Sequence, residues 1–196
     1  MNNNITLLKN RFLKACGPLV LAALPMVAQA DEPQQSLSLL NLHTKESLNV
    51  TYKRNGQYVP EALARISHLL RDHRKNEETA ISPQTLDRLH AIGEVVRIKY
   101  PHIPIKFEII SGYRTPGTNQ ALKSNGGSQA TKSRHMIGDA IDMRVPGVST
   151  KALRDIAWCT GSGGTGYYAH DGFVHIDSGN KRFWPEGWNP HDIRCH

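Results

Sequence analysis

Two short stretches carry the residue types that bind metals. Ser133-Arg134-His135-Met136-Ile137-Gly138-Asp139-Ala140-Ile141-Asp142 holds an imidazole and, after a glycine, a carboxylate. Val174-His175-Ile176-Asp177 holds a second imidazole. If residues 139–145 form a strand, alternation places Ala140 and Asp142 on one face and Ile141, Met143 and Val145 on the other. In the second stretch Val174 and Ile176 face the core, while Phe173, His175 and Asp177 share the opposite face. Pairing the two strands would bring His135, Asp142 and His175 together. Two imidazoles and a carboxylate, with a fourth position open to water, form the donor set of a catalytic zinc. Such an ion lowers the pKa of its water to about 7 and polarises a carbonyl. Taken singly, each residue is as readily structural, and spacing alone leaves both readings open.

A second pattern, Gly161-x-Gly163-x-x-Gly166, has the form of a dinucleotide-binding turn. That turn needs a strand before it and a helix after it, so that the pyrophosphate meets a helix N-terminus. Here the order is helix, glycines, strand. The pattern is therefore expected to stop a helix and to give a flexible entry to a strand over 167–177.

The elements that must position these residues follow from periodicity. Short strands are expected at 37–42 and 47–52, with a turn signal at Asn55-Gly56. A helix starts at Pro60 and carries Leu63, Ile66, Leu69 and Leu70 at helical spacing. Ser82-Pro83 caps a second helix with Leu86, Leu89, Ile92, Val95 and Val96 on one side, ending near Tyr100-Pro101. A strand over 105–110 leads into Ser111-Gly112-Tyr113-Arg114. Residues 115–134 read as a loop with a helical turn at 119–123, and residues 150–158 as a helix capped by Ser149 or Thr150. The expected fold is α+β: a small antiparallel sheet with helices packed on one side and the zinc site on the sheet. His68, His73, His90 and His102 lack a second ligand at metal spacing and read as structural.

The first 30 residues have the form of a secretory signal. Lys9, Arg11 and Lys14 precede an uncharged apolar run from Cys16 to Ala28, and Ala28-Gln29-Ala30 is a cleavage site. The run is too short to span a bilayer. Residues 31–36 then read as a flexible leader, with the main domain at 37–184 and an extension at 185–196. The full chain of 196 residues carries +7; without the signal, 21 basic residues face 17 acidic ones, a net +4. That excess suits an anionic wall polymer and is not the footprint of a nucleic-acid binder. Cys159 and Cys195 remain, an even number in an exported chain, and are expected to pair.

With these residues in view, the chain resembles the M15-type zinc peptidases, in the branch once labelled a domain of unknown function that includes periplasmic murein endopeptidases. The resemblance covers about residues 38–184 and rests on Leu42-His43-Thr44, Ser111-Gly112-Tyr113-Arg114, the His135/Asp142 motif, Gly164-x-Gly166-Tyr167-Tyr168, Phe173-Val174-His175-Ile176-Asp177 and Trp184. It implies zinc on His135, Asp142 and His175, and Arg114 facing the scissile carbonyl, where a cation stabilises the oxyanion. It also implies substrate contact by Ser133 and, as substrate, a peptidoglycan stem peptide. One departure stands out. Many relatives have a general base three or two residues before the last zinc histidine, and here those positions hold Gly172 and Phe173. His170 is the expected base, with Asp171 the next choice, and Asp177 is expected to orient His175. The implied activity is a periplasmic zinc endopeptidase on cross-links. The alternatives are a carboxypeptidase or dipeptidase on the same peptides, and a zinc-containing wall-binding module without a base.

Overall fold

The computed structural model describes residues 33–127, 129–185 and 189–195; the expected signal peptide lies outside them. Eight strands form one sheet in the order β3-β2-β1-β4-β5-β7-β6-β8. They are β1 (Gln34–Asn41), β2 (Ser47–Arg54), β3 (Gln57–Tyr58), β4 (Phe107–Ser111), β5 (Ala140–Arg144), β6 (Gly164–Tyr168), β7 (Phe173–Asp177) and β8 (Arg182–Trp184). The helices are α1 (Pro60–Leu69), α2 (Pro83–Lys99), α3 (Pro116–Ser124) and α4 (Thr150–Cys159).

The sheet is mixed, not purely antiparallel. β1 runs parallel to β4 and β6 parallel to β8, while the remaining pairs are antiparallel. The long connection through α1 and α2 returns the chain to the starting end of β1, and a crossover of that length permits a parallel neighbour. One sheet face supplies Leu37, Leu39, Phe107, Ile109, Ile141, Met143, Val174 and Ile176 to the core. Ile66 and Leu69 of α1, Leu86, Leu89, Ile92 and Val96 of α2, and Leu153, Ile156 and Ala157 of α4 complete it. At about 25 cal/mol per Å² of apolar surface, this burial is what holds the other face rigid enough to carry a site.

Three local expectations are corrected. Residues 34–36 belong to β1 and not to a leader: Ser36 pairs with Thr51 on β2, backbone and side chain alike. The helical turn expected at 119–123 is the longer α3, because Thr115 accepts a hydrogen bond from the Thr118 amide and Pro116 starts the first turn. The strand expected over 167–177 is a hairpin, β6 and β7, turned at 169–172, where Gly172 has φ +71°. Gly164 and Gly166 are strand residues, for a reason that belongs to the site.

Cys159 at the end of α4 is bonded to Cys195, so the C-terminal segment is clamped to the helix that backs β6 and β7. The sequence separation is 36 residues. Breaking the link by Cys195→Ser should lower unfolding free energy by about 2–4 kcal/mol. Chemical denaturation of the oxidised protein and the variant measures this, and an unchanged midpoint would leave the clamp without a stabilising role.

Candidate active site

β5 and β7 pair in a register that sets Asp142 directly opposite His175. Their side chains leave the sheet on the face away from the helices, because Ile141, Met143, Val174 and Ile176 take the other. His135 arrives from a short 3-10 turn, Arg134–Ile137. Ser133 caps that turn by accepting from the His135 amide, and Gly138 ends it in the left-handed region at φ +68°. A Cβ at Gly138 would overlap the Ala80 carbonyl, so the residue that lets the chain bend into β5 is fixed by both conformation and space.

The three expected ligands meet. His135 Nε2 lies 3.2 Å from Asp142 Oδ1 and 3.1 Å from His175 Nδ1, and His175 Nδ1 lies 2.8 Å from Asp142 Oδ1. All three side chains are buried. Their ligand atoms lie within 4.8 Å of one another, forming the one such group of three or more among the described residues.

The outer nitrogens of both imidazoles are already engaged. His135 Nδ1 is 2.7 Å from the Gly112 carbonyl, which can only accept. The proton therefore sits on Nδ1, and the Nε2 lone pair points into the cluster. His175 Nε2 is 3.1 Å from Asp177 Oδ2, so its proton sits there and Nδ1 offers the lone pair. Fixing the tautomer through the outer nitrogen is what metal-binding histidines require. The charges agree with this for His135 and Asp142, while at His175 the two carboxylates favour a second proton, which a bound cation would displace. Burial lowers the His135 pKa. Burial opposes ionisation of Asp142, but the two imidazoles outweigh it and hold the carboxyl below the usual range. Burial would lower His175 too, yet Asp142 and Asp177 raise it. Two neutral rings and one carboxylate converging on a point form a donor set that fits a divalent cation, with the acid supplying charge and the rings softness.

Asp177 is wrapped. Oδ1 accepts from the amides of Gly164 at 3.0 Å and Gly179 at 2.9 Å, and Arg182 donates to both oxygens at 3.0 and 2.6 Å. Burial opposes ionisation, but His175, Arg182 and these amides hold the carboxyl below its usual range. Here is the reason for the glycines. A Cβ at Gly163 would overlap the Asp177 carbonyl, one at Gly164 its carboxylate, and one at Gly166 would lie 2.6 Å from the Trp184 ring. The stretch that imitates a nucleotide turn closes around the protein's own carboxylate. Arg88 on α2, itself buried, secures the same place by donating to the carbonyls of Asp177 at 2.6 Å and Gly164 at 2.8 Å.

Asp177→Asn keeps the shape but turns an amide toward groups that can only donate. Affinity for the metal should fall about 10–100-fold, as read by competition with a chromophoric chelator. Wild-type affinity would remove Asp177 from its orienting role.

Arg114, on the segment after β4, lines a cavity of about 540 Å³ together with His135, Asp142 and His175. Its amide donates to the His135 carbonyl at 3.2 Å, and Asp72 on the far side accepts from the Thr115 amide and hydroxyl. Its side chain is buried and makes one hydrogen bond among the described residues, Nη2 to Ser133 Oγ at 3.4 Å; Nε has no hydrogen-bond partner there. Among the described residues no carboxylate lies within ion-pair distance of Arg114.

The structure does not bring His170, the expected base, to the cluster. It lies fully exposed in the turn between β6 and β7, 3.4 Å from its neighbour Asp171, and does not line the cavity. Asp171 is exposed in the same turn. The turn leaves both residues in solvent, outside the lining of the cavity that holds the His135/Asp142/His175 cluster. Among the described residues the cavity wall has no carboxylate or imidazole beyond the three ligands. Phe173, where some relatives place a histidine, stacks on Tyr168 at 4.4 Å between ring centroids. The sequence reading missed the Gly112 carbonyl, which carries no side-chain signal, and the Tyr168–Trp184 pair, where Trp184 Nε1 donates to the Tyr168 hydroxyl at 2.9 Å.

The comparisons with known proteins agree with this geometry. The M15-type family model described as peptidoglycan L,D-endopeptidase MepK matches residues 29–184. The peptidoglycan L,D-endopeptidase MepK of Escherichia coli K12 is 35% identical over 179 residues, covering 89% of this chain and 96% of the relative. The probable peptidoglycan L,D-endopeptidase MepK of Haemophilus influenzae is 30% identical over 148 residues, covering 76% and 77%. No solved structure matches the chain. A family model that covers most of the domain, a relative aligned over 96% of its length, and a converged His-Asp-His cluster beside a buried arginine agree: the chain belongs to the M15-type peptidase family of the MepK endopeptidases and is a peptidase.

Proposed function

We propose that the chain is an exported, zinc-dependent endopeptidase that hydrolyses an amide bond in peptidoglycan stem-peptide cross-links, of the L,D type named for its relatives. The observation that carries this is the convergence of three lone pairs, from His135 Nε2, Asp142 Oδ1 and His175 Nδ1, with both outer imidazole nitrogens held. These atoms would hold the zinc, which when bound supplies an acidified water and a polarising charge for the scissile carbonyl. The Gly112 carbonyl and the Asp177 carboxylate keep the rings oriented. Arg114 presents a desolvated cation to the carbonyl oxygen as charge develops there. Ser133, 3.4 Å from Arg114, offers a hydroxyl at the same wall for substrate backbone. The moderate positive charge of the chain suits an anionic polymer, and the signal-like first 30 residues suit export to it. Among the described residues no helix is long and apolar enough to cross a membrane.

Digestion of purified sacculi, followed by muropeptide identification, tests this reading. An endopeptidase converts cross-linked dimers to monomers. Release of D-alanine with dimers intact would make the chain a carboxypeptidase instead. Sedimentation with the wall and no new fragments would defeat the hydrolytic reading on this substrate.

A further inference from the structure

The cavity that holds the candidate ligands is also lined by a residue whose hydroxyl the family comparison gives no work. Tyr168 is the last residue of β6, half-buried, and its phenol lines the same cavity as Arg114 and the three ligand residues. Its place is fixed from two sides. Phe173 stacks on the ring with an interplanar angle of 16°. Trp184 donates its indole N–H to the phenol oxygen at 2.9 Å. Trp184 is itself fixed: it packs over Gly166, where no Cβ fits, and lies 4.9 Å from the His175 ring, while Arg182 sits 5.3 Å above its face. The indole has one N–H and no acceptor, so the phenol oxygen must receive this bond and its own proton is left to donate elsewhere. Among the described residues that proton has no acceptor on the protein. A half-buried phenol oriented by a rigid donor, with an unused O–H in a reaction cavity, is a preset hydrogen-bond donor of the kind that stabilises developing negative charge.

We propose that Tyr168 is a catalytic residue of the peptidase reaction: its hydroxyl donates a hydrogen bond to the substrate oxygen that gains charge in the transition state, in the cavity it shares with Arg114, with Trp184 as the residue that positions it. No proton leaves the phenol; it is a donor throughout. Burial raises its pKa, which keeps the proton in place at neutral pH. The assignment rests on the peptidase reading of the His135/Asp142/His175 site. It also accounts for an aromatic at 173: the ring occupies a base position of other relatives and serves here to stack Tyr168.

The test is Tyr168→Phe, which keeps the ring, the stack and the volume and removes only the oxygen. On cross-linked muropeptides kcat should fall about 10²–10³-fold, the loss typical of one oxyanion donor, while KM and bound metal stay at wild-type values. Binding of a phosphinic peptide, a tetrahedral mimic, should weaken while binding of the cleaved product does not. Trp184→Phe, which leaves the hydroxyl but frees its rotation, should show a smaller loss in kcat with the metal retained. Wild-type cleavage of the muropeptides carries the substrate reading by itself, so the comparison of variants bears on the hydroxyl alone. An unchanged kcat in Tyr168→Phe would overturn the proposal, as would a loss matched by lost metal or confined to KM.

Discussion

His135→Ala, Asp142→Ala and His175→Ala are each expected to lose bound metal and turnover together. Three ligands leave no spare: each alanine removes a third of the donor set, and the two that remain do not hold a divalent ion against water. The converged geometry adds a second reason. The three side chains are buried within 4.8 Å of one another, so deleting one leaves the partners facing a cavity they cannot rearrange to fill. Asp142→Asn is the more discriminating change. It keeps the shape but removes the only negative charge on the metal-facing side, so metal should be lost with little change in folding. Metal analysis after dialysis, beside digestion of sacculi, reads both quantities. Full occupancy in any one of these variants would take that residue out of the site, and full activity in a metal-free variant would remove the metal from the reaction.

How far this site was readable from the sequence depends on which atoms carry it. Asp142 and His175 were readable because strand alternation is a strict period of two: once Ile141, Met143, Val174 and Ile176 are assigned to the core, their neighbours have one place to go. The register that puts them opposite each other then follows from pairing the two apolar sets. His135 was readable because Gly138 permits the bend into β5. The failures have a common physical cause, which is that short backbone segments report little of their direction in space. His170 precedes His175 closely in sequence, yet the hairpin turn carries it into solvent. The glycines at 163, 164 and 166 looked like flexibility because sequence does not show what a backbone touches; in the fold they are held against Asp177 and Trp184. The Gly112 carbonyl that orients His135 has no side chain to signal it. The parallel pairing of β1 with β4 was missed because it is set by a long crossover and not by any local pattern.

Arg114→Met is expected to reduce kcat about 10²–10³-fold while retaining metal. The guanidinium is buried, and among the described residues Nε has no partner and the one hydrogen bond is a long one to Ser133. Burial pushes its pKa down, opposed first by the charge of Asp142. A desolvated cation with so few contacts is unfavourable for the folded protein in isolation. Groups held in that condition are those whose partner arrives with the substrate, and they are a cost in stability that the reaction recovers. The expected signature is therefore a split: activity falls, and the thermal midpoint stays level or rises, because methionine fills the space without a charge to desolvate. Arg114→Lys should recover only part of the rate, since a point charge on a flexible stem replaces a rigid planar donor. The opposite pattern, a midpoint several degrees lower with kcat per folded molecule unchanged, would mean that Arg114 holds the segment after β4 and takes no part in the reaction.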